Sequence, residues 1–313
     1  MIWDLIILVA SFAFLYHGAK WIVTGASKIA ACLNISKVVV GVVLVAFGTS
    51  APELFVNIIA ACRGHSEIAL SNVSGSNLAN ICVGYSLCAL LGGIVIDKKK
   101  FGTDLIYFCL APAAVLFFLA VYPGGNVPVW AIIFFVVPFA FYIASTKKRM
   151  FNQLTPPPVS KRKLGKAIAI FGLGVMTLYF SGEMVIRSAT QISIYFGISE
   201  SIIALTFIAV GTSLPDIMAS LVAVKRKENS IAVGNILGSN IFNILLVLTG
   251  SLVFSARPLI ADNAVSLDYL LVLAISVGFV ISVWKRPKLG RIRGGILFGI
   301  YLAYMLMRFL VIK

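Results

Sequence analysis

"LVAFGTSAPEL", residues 44–54, sets Glu53 at the end of a stretch with no polar side chain between Val38 and Phe47. A matching segment in the second half of the chain, "FIAVGTSLPDI" at 207–217, sets Asp216 in the equivalent place. Laid on one another without a gap, 34–81 and 197–244 share 17 identities in 48 positions. They cluster in two motifs, GTSxP and NxxGSNxxN, so the chain is an internal duplication and its fold is to be read as two copies of one unit.

The unit belongs in a membrane. Of 313 residues, 60% are hydrophobic and only 12% charged, and the mean hydropathy is +1.02. Soluble domains of this length carry about twice that charge. Apolar runs such as Leu105 to Tyr122 and Val127 to Ser145 are long enough to cross a hydrocarbon core of roughly 30 Å as helices. Apolar length and interrupting charges predict ten spans, at 2–23, 36–62, 67–95, 104–122, 127–145, 167–187, 199–224, 230–254, 264–284 and 293–311. Asp4 stands where a signal peptide would be basic, so the first run is expected to be a retained helix. The fold class expected is therefore an all-α integral membrane protein.

Charge placement orients it. The net charge is +15, and 20 of the 26 lysines and arginines fall in the connections after odd-numbered spans. This is the positive-inside bias. It explains the basic surplus without nucleic acid, and it predicts a multi-pass protein of the cell membrane with both termini outside the cytoplasm. An odd number of spans per half makes the second half enter from the opposite side, so the repeats are inverted. The expected organisation is a five-helix repeat at 1–145, a basic cytoplasmic linker at 146–166 with Pro156, Pro157 and Pro158, and a second repeat at 167–313. Inverted repeats with interrupted helices in matching positions point to a secondary transporter with its site at the repeat interface. Five cysteines without CxxC spacing are expected to be packing residues.

The motifs supply oxygen. Gly48 and Pro52 flank Thr49 and Ser50, and Gly211 and Pro215 flank Thr212 and Ser213, so helices 2 and 7 are expected to break there and free carbonyls. Such irregular backbone is tolerated at membrane depth where it lines a cavity. Helices 3 and 8, also expected to be interrupted, add Asn72, Gly75, Ser76, Asn77 and Asn80, with Asn235, Gly238, Ser239, Asn240 and Asn243. Ser50 and Glu53, like Ser213 and Asp216, also fit the spacing of a helix capping box. A cap contributes about 1 kcal/mol, against roughly 2.5–3.5 kcal/mol for a carboxylate at mid-membrane. Two symmetry-related carboxylates with hydroxyls, amides and no intramembrane base beside them therefore indicate a cation site. Oxygen ligands without His or Cys clusters favour Ca²⁺, Mg²⁺, Mn²⁺ or alkali ions over zinc or copper. Two bidentate carboxylates and the carbonyls of Thr49 and Thr212 would give about six ligands, within the range Ca²⁺ accepts.

GTSAPE with NVSGSNLAN, and GTSLPD with NILGSNIFN, resemble the paired α-repeats of the cation/Ca²⁺ exchanger superfamily, above all the prokaryotic sodium/calcium exchangers and their potassium-dependent relatives. The resemblance covers essentially the whole chain. It implies an antiporter of Ca²⁺ against Na⁺ by alternating access, in which the first and sixth helices slide past the rest. It implies Glu53 and Asp216 as shared Ca²⁺ and Na⁺ ligands, main-chain oxygens of Thr49 and Thr212 completing the Ca²⁺ site, and oxygens of Ala46, Ser50, Ser76, Ala209, Ser213 and Ser239 in flanking Na⁺ sites. Asn80 and Asn243 would line the middle. Asp216 in place of glutamate is similar to the potassium-dependent branch, yet that branch has aspartate where this chain has Asn243, which argues against K⁺ coupling. The proton-coupled branch begins its first repeat GNAxE, unlike GTSAPE.

The rival within transport is a Ca²⁺/H⁺ antiporter using the same carboxylates. Paired hydroxyls at Ser50/Ser76 and Ser213/Ser239 favour Na⁺ over protons. A channel is disfavoured by the duplicated site, and an intramembrane enzyme by the lack of a Ser/His or Cys/His constellation. The partners expected are Ca²⁺, Na⁺ and the bilayer; no cofactor and no protein partner is implied. His17 is expected to pack or sit at the interface, Glu183 and Arg187 to pair one turn apart, and Lys20 to snorkel to the headgroups.

Overall fold

A computed structural model describes residues 2–122, 124–150, 161–196, 211–255 and 257–311. The chain is helical almost throughout. Helix α1 spans Ile2–Leu33 and α2 Lys37–Cys62; α3 covers 66–91 and α4 is Lys98–Val121. Helix α5 is Ile132–Met150, α6 Lys161–Tyr195, α7 Leu214–Lys225 and α8 Asn229–Ser255; α9 is Asn263–Lys285 and α10 Arg291–Val311. Among the described residues, seven helical stretches are long and apolar enough to cross a membrane: α1, α2, α4, Val129–Lys147, α6, α8 and α9. The linker expected at 146–166 is helical at both ends, through Met150 and from Lys161.

The packing is that of a protein solvated by lipid. Large apolar side chains such as Val9, Phe141, Leu173 and Leu306 face outward, while Thr49, Glu53, Asn57, Asn80, Asp216, Asn235 and Asn243 are buried. In water that distribution would be inverted.

Small residues bring the helices together. A Cβ on Gly174 of α6 would lie 2.6 Å from Ile22 N of α1, and one on Gly25 of α1 2.7 Å from Phe171 N. The α1–α6 pair runs to 32 and 35 residues, longer than the expected spans and too long to cross upright. Between α2 and α8 the approach is closer: a Cβ on Gly238 would lie 2.4 Å from Val42 O, and one on Gly41 2.8 Å from Ile231 O. Lipid gives no hydrophobic drive for helix association, so this backbone contact is what holds such a pair.

The interruptions expected in helices 2, 3 and 8 are not breaks. Helix α2 runs through Pro52 and widens upstream into a π-turn at Val40–Val45. Helices α3 and α8 widen at Asn80–Gly84 and Asn243–Val247, positions that correspond in the alignment of the two repeats. Ser50 lies inside α2 and caps nothing, so the capping-box alternative fails there. One turn before the proline α2 lies close against α6: a Cβ on Gly48 would meet Val175 and Phe171 at 3.0 and 3.1 Å. Pro52 has no N–H to give the Gly48 carbonyl, which is freed as expected although the helix continues. In helix 7 the stretch before Gly211 lies outside the described residues. Thr212 and Ser213 form a turn and α7 starts at Leu214 with Pro215 in its first turn, where its missing N–H is harmless.

Two short antiparallel pairings, absent from the all-α expectation, tie the halves together. β1 (Ile94–Val95) pairs with β4 (Lys288–Leu289), and β2 (Asn126–Val127) with β3 (Leu259–Ile260).

Candidate cation site

Helices α2, α3, α7 and α8 meet around the two carboxylates. Glu53 and Asp216 are both fully buried. Ala46, Thr49, Ser50, Ser76, Asn80, Thr212, Ser213, Ser239 and Asn243 are buried with them, so the described members of the expected set share one interior. Ala209 lies outside the described residues.

Asp216 is held by donors on every side. Asn80 Nδ2 donates to its Oδ2 at 2.8 Å and Ser239 Oγ to its Oδ1 at 2.8 Å. Its backbone carbonyl accepts from Asn235 Nδ2 at 2.9 Å, and Asn235 also donates to Ser220 Oγ at 3.0 Å. Thr49 Oγ1 meets Asn235 Oδ1 at 3.1 Å, so α2 joins the network. Across the site, Ser76 Oγ lies 3.2 Å from Thr212 Oγ1, which lies 3.3 Å from Asn72 Oδ1.

Glu53 has no such partners. Neither carboxylate oxygen receives a hydrogen bond, and Asn80 Oδ1, Asn243 Oδ1, Asn57 Oδ1 and Asn240 Oδ1 are likewise buried acceptors without donors. The pseudo-symmetric partners that would serve Glu53 are engaged elsewhere: Asn243 Nδ2 donates to Asn77 Oδ1 at 3.1 Å, and Ser76 faces Thr212. Buried polar atoms are nearly always satisfied, and an exception calls for a specific explanation. Nine such atoms lie on α2, α3 and α8, three of the four helices around the carboxylates, and all but Asn72 Nδ2 are oxygens. A hydrogen-bond donor would serve some of them; a cation serves several at once. Among the described residues no three His, Cys, Asp or Glu side chains converge, so a cation here would be held by two carboxylates and neutral oxygens. That donor set suits hard ions.

Sequence reasoning missed Asn57, which donates from Nδ2 to Glu53 O at 2.7 Å and leaves its Oδ1 free. Its position four residues after Glu53 on one helix face was the available signal. Also missed were two buried acids away from the site. Asp104 accepts from Arg149 at 2.6 Å and from Tyr142 Oη at 2.9 Å, and Asp268 lies 3.5 Å from Arg308. The Glu183–Arg187 pair forms as expected at 2.7 Å, and His17 is exposed on the outer face of α1.

The family model "Sodium/calcium exchanger protein" matches residues 3–146 and 166–310, the two halves on either side of the linker. The chain belongs to that family. Relatives align along nearly its whole length: the sodium/calcium exchanger MaX1 of Methanosarcina acetivorans is 29% identical over 98% of this chain and 99% of its own. The inner membrane protein YrbG of Escherichia coli is 30% identical over 96% and 95%. Among solved structures, the sodium-calcium exchanger NCX_Mj soaked with Na⁺ and Sr²⁺ superimposes with a TM-score of 0.84 at 26% identity, covering 98% of both chains. The protein is thus a membrane antiporter of the cation/Ca²⁺ class, and its buried oxygens lie in a transporter.

Proposed function

We propose that this antiporter exchanges Ca²⁺ for Na⁺, with Glu53 and Asp216 as ligands shared by both ions, within two inverted five-helix repeats. The observation that carries the reading is the group of donor-less buried oxygens around Glu53, facing an Asp216 already held by Asn80 and Ser239. The hydroxyls of Ser50, Ser76, Ser213 and Ser239 and the carbonyls of Thr49 and Thr212 complete the ligand set, with Ala46 and Ala209 contributing backbone oxygen. Duplication is supported by the π-turns at corresponding positions of the two repeats, and a two-fold relation by the paired strands, since the repeat shift carries β1 to β3 and β2 to β4 and so exchanges the two pairings. Helices α1 and α6 pack on one another in an apolar cluster that is apart from the main core and includes residues of α2, α7 and α8 such as Val45, Ala219 and Ala232. Basic residues concentrated on one face favour termini on the opposite side, outside the cytoplasm.

The test is ⁴⁵Ca²⁺ uptake into Na⁺-loaded proteoliposomes diluted into Na⁺-free buffer with pH clamped. Uptake that disappears with Glu53→Gln, with Asp216→Asn and with a Na⁺ ionophore is the expected result. Uptake indifferent to Na⁺ but driven by an imposed pH gradient would replace Na⁺ by H⁺. That second reading has its own support: a proton on Glu53 would find acceptors in the free amide oxygens of Asn80 and Asn243.

A further inference from the structure

At the turn between α9 and α10, on the face where the basic residues concentrate, Lys285, Arg286, Lys288, Arg291 and Arg293 line a cavity of about 950 Å³. Gly92 and Gly93, at the end of α3, lie in its wall, and no acidic residue lines it. Positive-inside topology requires such charges on this face. It does not require them around a concavity, nor without counter-ions. Among the described residues none of the five pairs with a carboxylate.

The cavity is built. Arg293 acts as its brace: Nη1 donates to Ser282 Oγ at 3.0 Å and to Arg286 O at 2.9 Å, and Nη2 donates to Lys288 O. The β1–β4 pairing fixes the same turn from the other side. A side chain on Gly93 would press on Leu289 O at 3.1 Å, and its φ of +75° favours glycine. Lys285, Arg286, Lys288 and Arg291 remain exposed around the opening. The first turn of α10 adds the positive end of a helix dipole.

An apolar rim adjoins the cations. Ile292 is 83% exposed between Arg291 and Arg293, and Trp284 is 52% exposed beside Lys285. Lys98 donates to the Trp284 carbonyl and lies 5.8 Å from its ring centroid. A bare isoleucine amid cations fits contact with acyl chains, and tryptophan belongs to the membrane interface. A free phosphate would satisfy the cations and leave this rim in water.

We propose that this cavity binds the phosphate-bearing headgroup of an anionic lipid, whose acyl chains lie along Ile292 and Trp284. Clustered basic residues at a membrane surface hold anionic lipid at about fivefold in affinity per charge. The test is native mass spectrometry of the detergent-solubilised transporter titrated with phosphatidylglycerol or phosphatidylcholine. The wild type is expected to retain phosphatidylglycerol preferentially. Lys285→Gln/Arg286→Gln/Arg291→Gln should weaken that retention roughly 100-fold, three charges at about fivefold each. Arg291→Gln alone should weaken it about fivefold and serves if the triple variant does not fold. Lys161→Gln/Arg162→Gln/Lys163→Gln removes as much charge from the exposed start of α6 and should leave retention intact. Undiminished binding in the single and triple cavity variants, or an equal loss in the α6 variant, overturns the proposal. Displacement of the lipid by inorganic phosphate at equal concentration overturns the lipid assignment and makes the cavity a site for a soluble anion.

Discussion

Glu53→Gln should make the cation-free protein more stable while abolishing its response to Ca²⁺. Both carboxylate oxygens of Glu53 are buried without a donor, and Asn80 Oδ1 and Asn243 Oδ1 are free acceptors. Glutamine removes the buried charge and leaves a neutral amide in its place. A buried unsatisfied polar group costs about 1–3 kcal/mol, and a carboxylate at mid-membrane about 2.5–3.5 kcal/mol on insertion scales. Relieving one such group stabilises the cation-free state by about 2 kcal/mol. For chains of this size or somewhat smaller, 1 kcal/mol moves the midpoint by roughly 2 °C at the low end, so Tm should rise by about 4 °C in chelator. The wild type, by contrast, gains about 2.7 kcal/mol when Ca²⁺ is at 100 times its Kd, a shift of about 5 °C that the variant should lack.

Asp216→Asn should behave differently, and this contrast is the sharper test. Both oxygens of Asp216 accept, from Asn80 Nδ2 at 2.8 Å and from Ser239 Oγ at 2.8 Å. An asparagine there can keep its Oδ1 on Asn80 and turn its N–H₂ to Ser239 Oγ, whose hydroxyl must rotate to accept, so the charge relief is offset by the loss of two charge-assisted hydrogen bonds. No gain in Tm, or a loss equivalent to about 1–3 kcal/mol, is expected. Thermal unfolding of the two variants in chelator and in Ca²⁺ decides the matter. The reasoning is refuted if Glu53→Gln melts at or below the wild type in chelator, if it keeps the Ca²⁺ shift, or if Asp216→Asn is equally stabilising.

Gly238→Ala should stop transport in a protein that still inserts, because its Cβ would stand 2.4 Å from Val42 O and 2.7 Å from the Ala46 Cβ. Overpacking of this kind costs about 1–3 kcal/mol and pushes Ser239 and Asn235 away from α2; normal ⁴⁵Ca²⁺ uptake would contradict it. Arg149→Ala strands Asp104, fully buried, without its cation and should destabilise by about 3 kcal/mol. Asp104→Asn added to Arg149→Ala should restore most of that loss in thermal unfolding. Exchange of three Na⁺ for one Ca²⁺ would alternate the site between charges of +1 and zero, so uptake should respond to a K⁺/valinomycin diffusion potential; voltage-insensitive Na⁺-driven uptake would reject that stoichiometry.

Sequence carried the architecture far because the fold obeys two one-dimensional rules. Apolar runs end at charges, so the helix boundaries of α2, α8 and α9 fall within a residue or two of expectation. Duplication at a fixed shift marked Glu53 and Asp216 before any geometry was known. What it did not reveal depends on neighbours distant in sequence. The proline in α2 breaks nothing, and the close approach of Gly48 to α6 one turn upstream has no local signal. Asp104 and Asp268 escaped notice because they are out of step with the repeat, which sets Asp104 opposite Leu267. Their arginine partners lie on the following helices, α5 and α10.

The lopsidedness of the site was also invisible, since the two motifs read as near-equals, and it bears on how the antiporter would be coupled. Asp216 is one methylene shorter than Glu53 and is tied to Asn80 and Ser239. Glu53, when ionised, has no hydrogen-bond donor to offset its charge. On the proposed function, the Asp216 side is the preformed half of the coordination shell, and the Glu53 side is completed only by the ion. A site without cations then holds a charge of −2 with one carboxylate wholly unsatisfied, and moving it through a low-dielectric interior is costly in a way that moving the neutral Ca²⁺ complex is not. Obligatory exchange follows from that difference: the helices move with an ion on Glu53 and resist moving without one.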